Sequence, residues 1–133
     1  MENNQFTLTK NEQEIMNLLW QEGRSLSSSG IIELSPNRSW KNSSIHVLLS
    51  QMLDKGVIVV DGFVKTGKNY GRTFCATTTL EKYQVMQFIQ SPPYVQSKST
   101  AIINFISCLL ANYDIDDEIL DELELILQNR RNK

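Results

Sequence analysis

The hydrophobic period of this chain switches from helix to strand at Gly56, and that change constrains the fold more than any other feature. Before it, Ile45, Leu48, Leu49, Met52 and Leu53 fall at i, i+3, i+4, i+7 and i+8, the repeat of a helix with one apolar face. After it, Val57-Ile58-Val59-Val60 is short and β-branched, and Phe63-Val64 continues that character. Lys65-Thr66-Gly67-Lys68-Asn69-Tyr70-Gly71 then reads as a glycine-rich polar tip, and Arg72-Thr73-Phe74-Cys75-Ala76-Thr77 as the returning strand. Two strands around a basic tip make a hairpin directly behind a helix.

Two more helices precede this one. Thr9-Lys10-Asn11-Glu12 is a capping-box pattern, with a hydroxyl at the cap and a carboxylate three residues on. Ile15, Met16, Leu18 and Leu19 supply the face and Gly23 the stop, so the first helix is expected over about 9–22. Ser27-Ser28-Ser29 offers caps for a short second helix through Ile31, Ile32 and Leu34, which Pro36 ends. Asn42 or Ser43 is placed to cap the third. Helix, helix, helix, hairpin is the order of a winged helix-turn-helix, whose third helix enters the DNA major groove. The expected fold is mainly α with a small β-hairpin: a winged helix over 1–78 and a helical region over 79–133.

In the second region, Thr78-Thr79-Leu80-Glu81 repeats the capping-box pattern and opens a helix carrying Tyr83, Val85, Met86 and Ile89. Pro92-Pro93 must break it, because proline removes a donor and clashes with the preceding turn. Ser99-Thr100 starts a strongly apolar helix with Ile102, Ile103, Phe105, Ile106, Leu109 and Leu110. Asp116 caps the last, with Ile115 and Leu120 as a hydrophobic staple, and Ile119, Leu123, Ile126 and Leu127 along it. Two helices cannot bury that much apolar surface between themselves. They either dock on the winged helix or pack on a second copy. The Pro-Pro separation favours a C2 dimer through Ile102, Phe105, Ile106, Leu109, Ile119, Leu123 and Ile126.

Charge divides along the same line. The whole chain of 133 residues carries a formal net charge of −2, which taken alone argues against nucleic acid. Yet Arg24, Arg38, Lys41, Lys55, Lys65, Lys68 and Arg72 face only Glu33, Asp54 and Asp61 within one stretch, a local net of +4. Partners respond to the local field. On the third helix, with Ile45, Leu48, Leu49 and Met52 facing inward, Ser43, His46, Val47, Ser50 and Gln51 lie elsewhere. Hydroxyls, an amide and an aliphatic group suit base edges and a thymine methyl, while Lys41 or an early backbone N–H would hold a phosphate, with Asn42 in the same DNA-binding set. Ser44 either joins this set or bonds back along its own helix. Lys65, Lys68 and Arg72 on the hairpin would meet phosphate, which positions without specifying sequence. Ordinary solvation of both faces is the alternative.

Other classes find little footing. His46 is the only histidine, and nothing near it has nucleophile spacing, so no catalytic residues are assigned. Cys75 and Cys108 stand far apart without a Cys/His cluster, so no metal site and no cofactor are expected. They are expected to be reduced, buried thiols in a cytoplasm. No apolar run approaches the roughly 20 residues of a spanning helix, so no membrane insertion is expected. Polar Met1-Glu2-Asn3-Asn4-Gln5 does not look like a secretory signal.

The residues themselves resemble a family. Glu12-Gln13-Glu14-Ile15-Met16-Asn17-Leu18-Leu19-Trp20 is similar to the opening motif of the penicillinase-repressor family. The likeness continues through Ile32-Glu33-Leu34, Trp40, Ser44-Ile45, Leu48-Leu49, Leu53, Lys55-Gly56 and Gly71-Arg72-Thr73-Phe74, with Tyr83 and the acidic, leucine-rich last helix. It covers about 6–128. The resemblance implies a cytoplasmic homodimeric repressor on a double-stranded DNA operator, a palindrome with TACA/TGTA half-sites, dimerised by its C-terminal helices. In the β-lactam branch a membrane sensor pathway leads to cleavage of an Asn-Phe bond, which Asn104-Phe105 matches; the partner implied is a sensor-activated protease. The copper branch carries a C-terminal cysteine motif that Gln128-Asn129-Arg130-Arg131-Asn132-Lys133 lacks. Lys41-Asn42, Val47, Gln51, a longer wing tip and Pro92-Pro93 depart from the family pattern. From another class, a winged-helix protein–protein adaptor without sequence-specific DNA binding would use the same fold.

Overall fold

The computed structural model describes residues 7–133; Met1–Gln5, on which the reading of a non-secretory start rests, lie outside them. Two compact units are present, one ending at Phe88 and the other beginning at Ile89. In the first, α1 (Lys10–Glu22) begins with the expected reciprocal box. The Glu12 N–H donates to Thr9 Oγ1 at 3.3 Å and the Thr9 N–H to Glu12 Oε1 at 2.8 Å. Gly23, at φ 67, ends it.

Next comes a strand that has no signal of its own in the sequence. β1 (Leu26–Ser27) pairs antiparallel with β3 (Asn69–Ala76), setting Leu26 opposite Phe74 and Ser27 opposite Thr73. Two residues are too few to show alternation, and the serine run reads only as a cap. It is also a cap: Ser27 Oγ accepts the Gly30 N–H at 3.1 Å and starts α2 (Ser28–Glu33). β3 pairs on its other side with β2 (Ile58–Thr66), so the sheet order is β1-β3-β2.

The third helix departs from expectation at its start. Neither Asn42 nor Ser43 caps it; a 3₁₀ turn over Asn42–Ser44 leads into α3 (Ile45–Asp54), with Lys41 in the cap position and no side-chain cap bond. The Asn42 amide oxygen instead accepts from Arg38, which also donates to the Ser35 carbonyl at 2.9 Å and lies over the Trp40 ring. The end of α3 matches expectation. Gly56, at φ 76, donates to Leu53 O and Val57 to Met52 O, the paired bonds of a Schellman motif. Val57 and Met52 are both fully buried, so the chain leaves the helix and enters the sheet through the core.

The hairpin is also tighter than expected. Its tip is only Gly67-Lys68, with Thr66 paired to Asn69, and the longer polar loop read from sequence is strand. Gly67, at φ 66, supplies the positive φ that a two-residue turn needs to match strand twist. Between Val60 and Gly62 the register shifts, leaving Asp61 as a bulge. Its carboxylate accepts from Ser25 and, at 2.7 Å, from Thr73 Oγ1. Those hydroxyls hold the Asp61 carboxyl below its ordinary pKa.

Ile15, Met16, Leu19, Leu26, Ile31, Trp40, Ile45, Leu48, Leu49, Met52, Val57, Ile58 and Phe74 form one core. Beneath it lies a charged tie. Glu12 is fully buried, and Lys55 Nζ donates to its Oε1 at 2.5 Å and to the Thr7 carbonyl at 2.7 Å. Helix α4 (Leu80–Ile89) stacks Tyr83 against Trp20 with ring centroids 5.5 Å apart, while Trp20 Nε1 donates to Thr78 O. Its cap is Thr79, whose hydroxyl accepts from the Lys82 N–H, so the expected box is offset by one residue and Glu81 does not close it.

In the second unit the prolines do break the helix, and they also begin the next. Pro92 and Pro93 open the short α5 (Pro92–Gln96), where a missing N–H costs nothing. α6 (Lys98–Asn112) starts behind Ser97, slightly before the expected Ser99-Thr100. Asp116 caps α7 (Asp117–Arg131) as expected, accepting from the Ile119 N–H at 2.9 Å, and Ile115 and Leu120 are half-buried. Cys75 is half-buried and Cys108 exposed, not both buried as expected. Among the described residues no helix is long and apolar enough to cross a membrane.

Candidate nucleic-acid interface

Helix α3 presents two unlike faces. Ile45, Leu48, Leu49 and Met52 are buried, which leaves His46, Val47, Ser50 and Gln51 exposed, with Lys41, Asn42 and Ser43 exposed ahead of them and Ser44 half-buried. Val47 is 59% exposed although aliphatic, on a helix whose other aliphatic side chains point inward. Asp54 ends the exposed face and would repel phosphate, so the face is polar and uncharged only over its N-terminal part. That is the part of a recognition helix that meets base edges.

Three of the seven bases in the +4 segment are used within the protein. Arg24 pairs with Glu22, Lys55 with Glu12, and Arg38 holds the end of α2 together with Asn42 and Trp40. Among the described residues Lys41, Lys65, Lys68 and Arg72 carry no ion pair. Lys41 stands at the entrance of α3, Lys68 at the hairpin tip, and Lys65 and Arg72 on the paired strands, Arg72 with its guanidinium 5.3 Å from the Phe74 ring centre. The unpaired positive charge of this segment therefore lies ahead of α3, at Lys41, and on the wing. Ile45 and Leu49 of α3 share one core with Ile58 and Phe74, which packs α3 and the base of the wing into one unit.

Sequence reasoning left Phe63 and Tyr70 out of this set. Both are exposed on the wing, and the alternation Phe63, Lys65 on one strand and Tyr70, Arg72 on the other was the available signal. The expected dimer residues Ile102, Phe105, Ile106, Leu109, Ile119, Leu123 and Ile126 all lie on α6 and α7 with exposed side chains. Asn104 and Phe105 lie within α6. Among the described residues no group of three or more His, Cys, Asp or Glu side chains is placed to hold a metal ion.

Comparison with known proteins identifies relatives of this chain. The chain is 33% identical over 87 residues to an uncharacterized 16.5 kDa protein in the ptsI 3' region of Latilactobacillus sakei, a match covering 65% of this chain and 55% of that protein. It thus spans about half the length of that relative. It is 22% identical over 134 residues to the methicillin resistance regulatory protein MecI of Mammaliicoccus sciuri, covering 98% of this chain and 100% of that protein. The sequence profile of the penicillinase repressor family matches residues 8–129. With that match running over most of its residues, this chain belongs to the penicillinase repressor family.

Proposed function

We propose that this protein is a cytoplasmic, homodimeric transcriptional repressor that occupies a palindromic promoter operator and so excludes polymerase. Residues 1–78 bind the DNA and residues 79–133 dimerise. The observation that carries the reading is the exposed face of α3 with Val47 at its centre, accompanied by Lys41, Lys65, Lys68 and Arg72, which carry no ion pair among the described residues. Ser43, His46, Val47 and Gln51 read base edges, Asn42 and Ser44 support the entry of the helix, and the four cations hold phosphates. Two copies would set two such helices about one helical repeat apart, which is what a palindrome with TACA/TGTA-type half-sites requires. Release follows a signal, by proteolysis at Asn104-Phe105 in the dimerising region.

Selection of duplexes from a random-sequence pool tests this directly. A palindrome is expected to emerge, and sequence-blind recovery of DNA would leave only the adaptor reading. Lys68→Ala and Arg72→Ala should weaken binding to every sequence alike, each reducing the salt slope by about one. Replacing Ser43 and Gln51 should instead alter preference among operator variants.

A further inference from the structure

The wing carries more than positive charge. Residues directly opposite in an antiparallel pair share a face, so Phe63 with Arg72 and Lys65 with Tyr70 form a single four-residue surface. The Asp61 bulge creates it. Without the extra residue, Gly62 and Val64 would follow Val60 onto the side of Phe74, and Phe63 and Lys65 would point the other way. Ser25 and Thr73 hold Asp61 in that position. The result is two rings, Phe63 at 69% and Tyr70 at 71% exposed, on a two-stranded ribbon.

Exposed rings on a thin ribbon invite either a protein partner or a nucleic acid, and charge decides between them. From Gly62 to Arg72 the ribbon holds Lys65, Lys68 and Arg72 and no acidic residue. Resting on the DNA-binding reading above, we infer that Phe63 and Tyr70 are a minor-groove wedge, pressed against sugars and base edges beside the half-site while Lys65, Lys68 and Arg72 hold the phosphates on either side. The base of the ribbon, at Ile58 and Phe74, shares a core with α3, so docking α3 in the major groove would carry the ribbon toward the adjacent phosphate row. Apolar side chains inserted there widen or kink the groove, which costs least at deformable A·T-rich steps. The wing then contributes sequence preference outside the bases that α3 touches.

Full-length protein and duplexes that it selects from a random pool supply the test, with adenines flanking the half-sites replaced by 2,6-diaminopurine. That base keeps the major-groove pattern of adenine and adds an amino group to the minor groove. Wild-type protein should bind the substituted duplex on the order of tenfold more weakly, the scale of one unfavourable base pair. Phe63→Ala with Tyr70→Ala should lose that sensitivity while keeping its salt slope. Phe63→Leu, still apolar, should retain it, and guards against a loss of fold. Wild-type indifference to diaminopurine, or undiminished sensitivity in the double variant, overturns the wedge while leaving the repressor reading intact. Absence of any selected sequence defeats that reading and the wedge with it. A change in the mass of the free protein on Phe63→Ala, with flank sensitivity unchanged, would make the face a protein contact and overturn the wedge as well.

Discussion

The two units of this chain handle apolar surface in opposite ways. Up to Phe88, helices and sheet close a core in which Ile15, Met16, Ile31 and Met52 are wholly buried. From Ile89 onward, only Ala101 is a buried apolar side chain among the described residues, while Phe105 is 55% and Ile126 60% exposed. A closed core stabilises its unit at any concentration. Helices with open apolar faces are marginal alone in water and gain stability only when those faces are covered. Under the proposed dimer, the first unit's stability is intrinsic and the second's depends on concentration.

Leu49→Ala is the strongest probe of the closed side. Leu49 lies in the centre of the core, and losing its side chain should cost about 2–5 kcal/mol. Urea titrations at widely separated protein concentrations should show the same loss; a loss that shrinks on concentration would mean that the first unit, too, relies on association. The open side is probed by Phe105→Asp with Leu123→Asp. Charge placed in a dimer interface should weaken association by about 3 kcal/mol, roughly a hundredfold. Sedimentation should then report the 15.3 kDa chain at concentrations where the parent is dimeric. A parent that already sediments as a single chain would end the dimer proposal.

Next in size is the charged tie of the closed unit. Burial pushes the Glu12 carboxyl up, but the Lys55 ammonium and the Thr9 donors together pull it below its ordinary 4.5. A carboxyl lowered on folding contributes stability that is present above its unfolded pKa and lost as pH falls through the folded value. Lys55→Met removes the partner and leaves a buried carboxylate. The expected loss is about 2 kcal/mol near neutral pH. In parallel, the acid-side decline in stability should flatten. A variant whose loss is the same at pH 3 and pH 7 would show that the pair is not the source.

How legible this was in the sequence follows from range. Caps and stops are local, so Thr9, Gly23, Ser27, Gly56 and Asp116 were readable from neighbouring residues. Elements that exist only through distant pairing were not. Leu26-Ser27 is a strand because Phe74 and Thr73 lie opposite, and the bulge at Asp61 is defined by its partner strand. The candidate site shows the same split. The exposed face of α3 follows from helical periodicity alone. Which bases are available does not, because Arg24, Arg38 and Lys55 are taken by partners that only the fold brings near. Residue type alone puts Phe63 in a strand, but the face it occupies depends on one extra residue.

The smallest effect isolates the junction between α3 and the wing. Gly56 sits at φ 76, and a Cβ built there would meet nothing within 4 Å, so Gly56→Ala adds backbone strain and no clash. A left-handed conformation costs an alanine about 1–2 kcal/mol. The stiffer unfolded chain offsets about 0.4–1 kcal/mol of that. The net should be near 1 kcal/mol, visible as a shift in urea midpoint with no change in slope. Gly56→Asn should lose less, because asparagine tolerates that conformation. Alanine and asparagine costing the same would mean that something other than φ sets the residue. An alanine effect that varies with protein concentration would place the strain in association and erase the distinction between the two units. Because Met52 and Val57 flank this turn, are bonded across it and both belong to the core, the loss should instead be fixed and local to the unit that closes on itself.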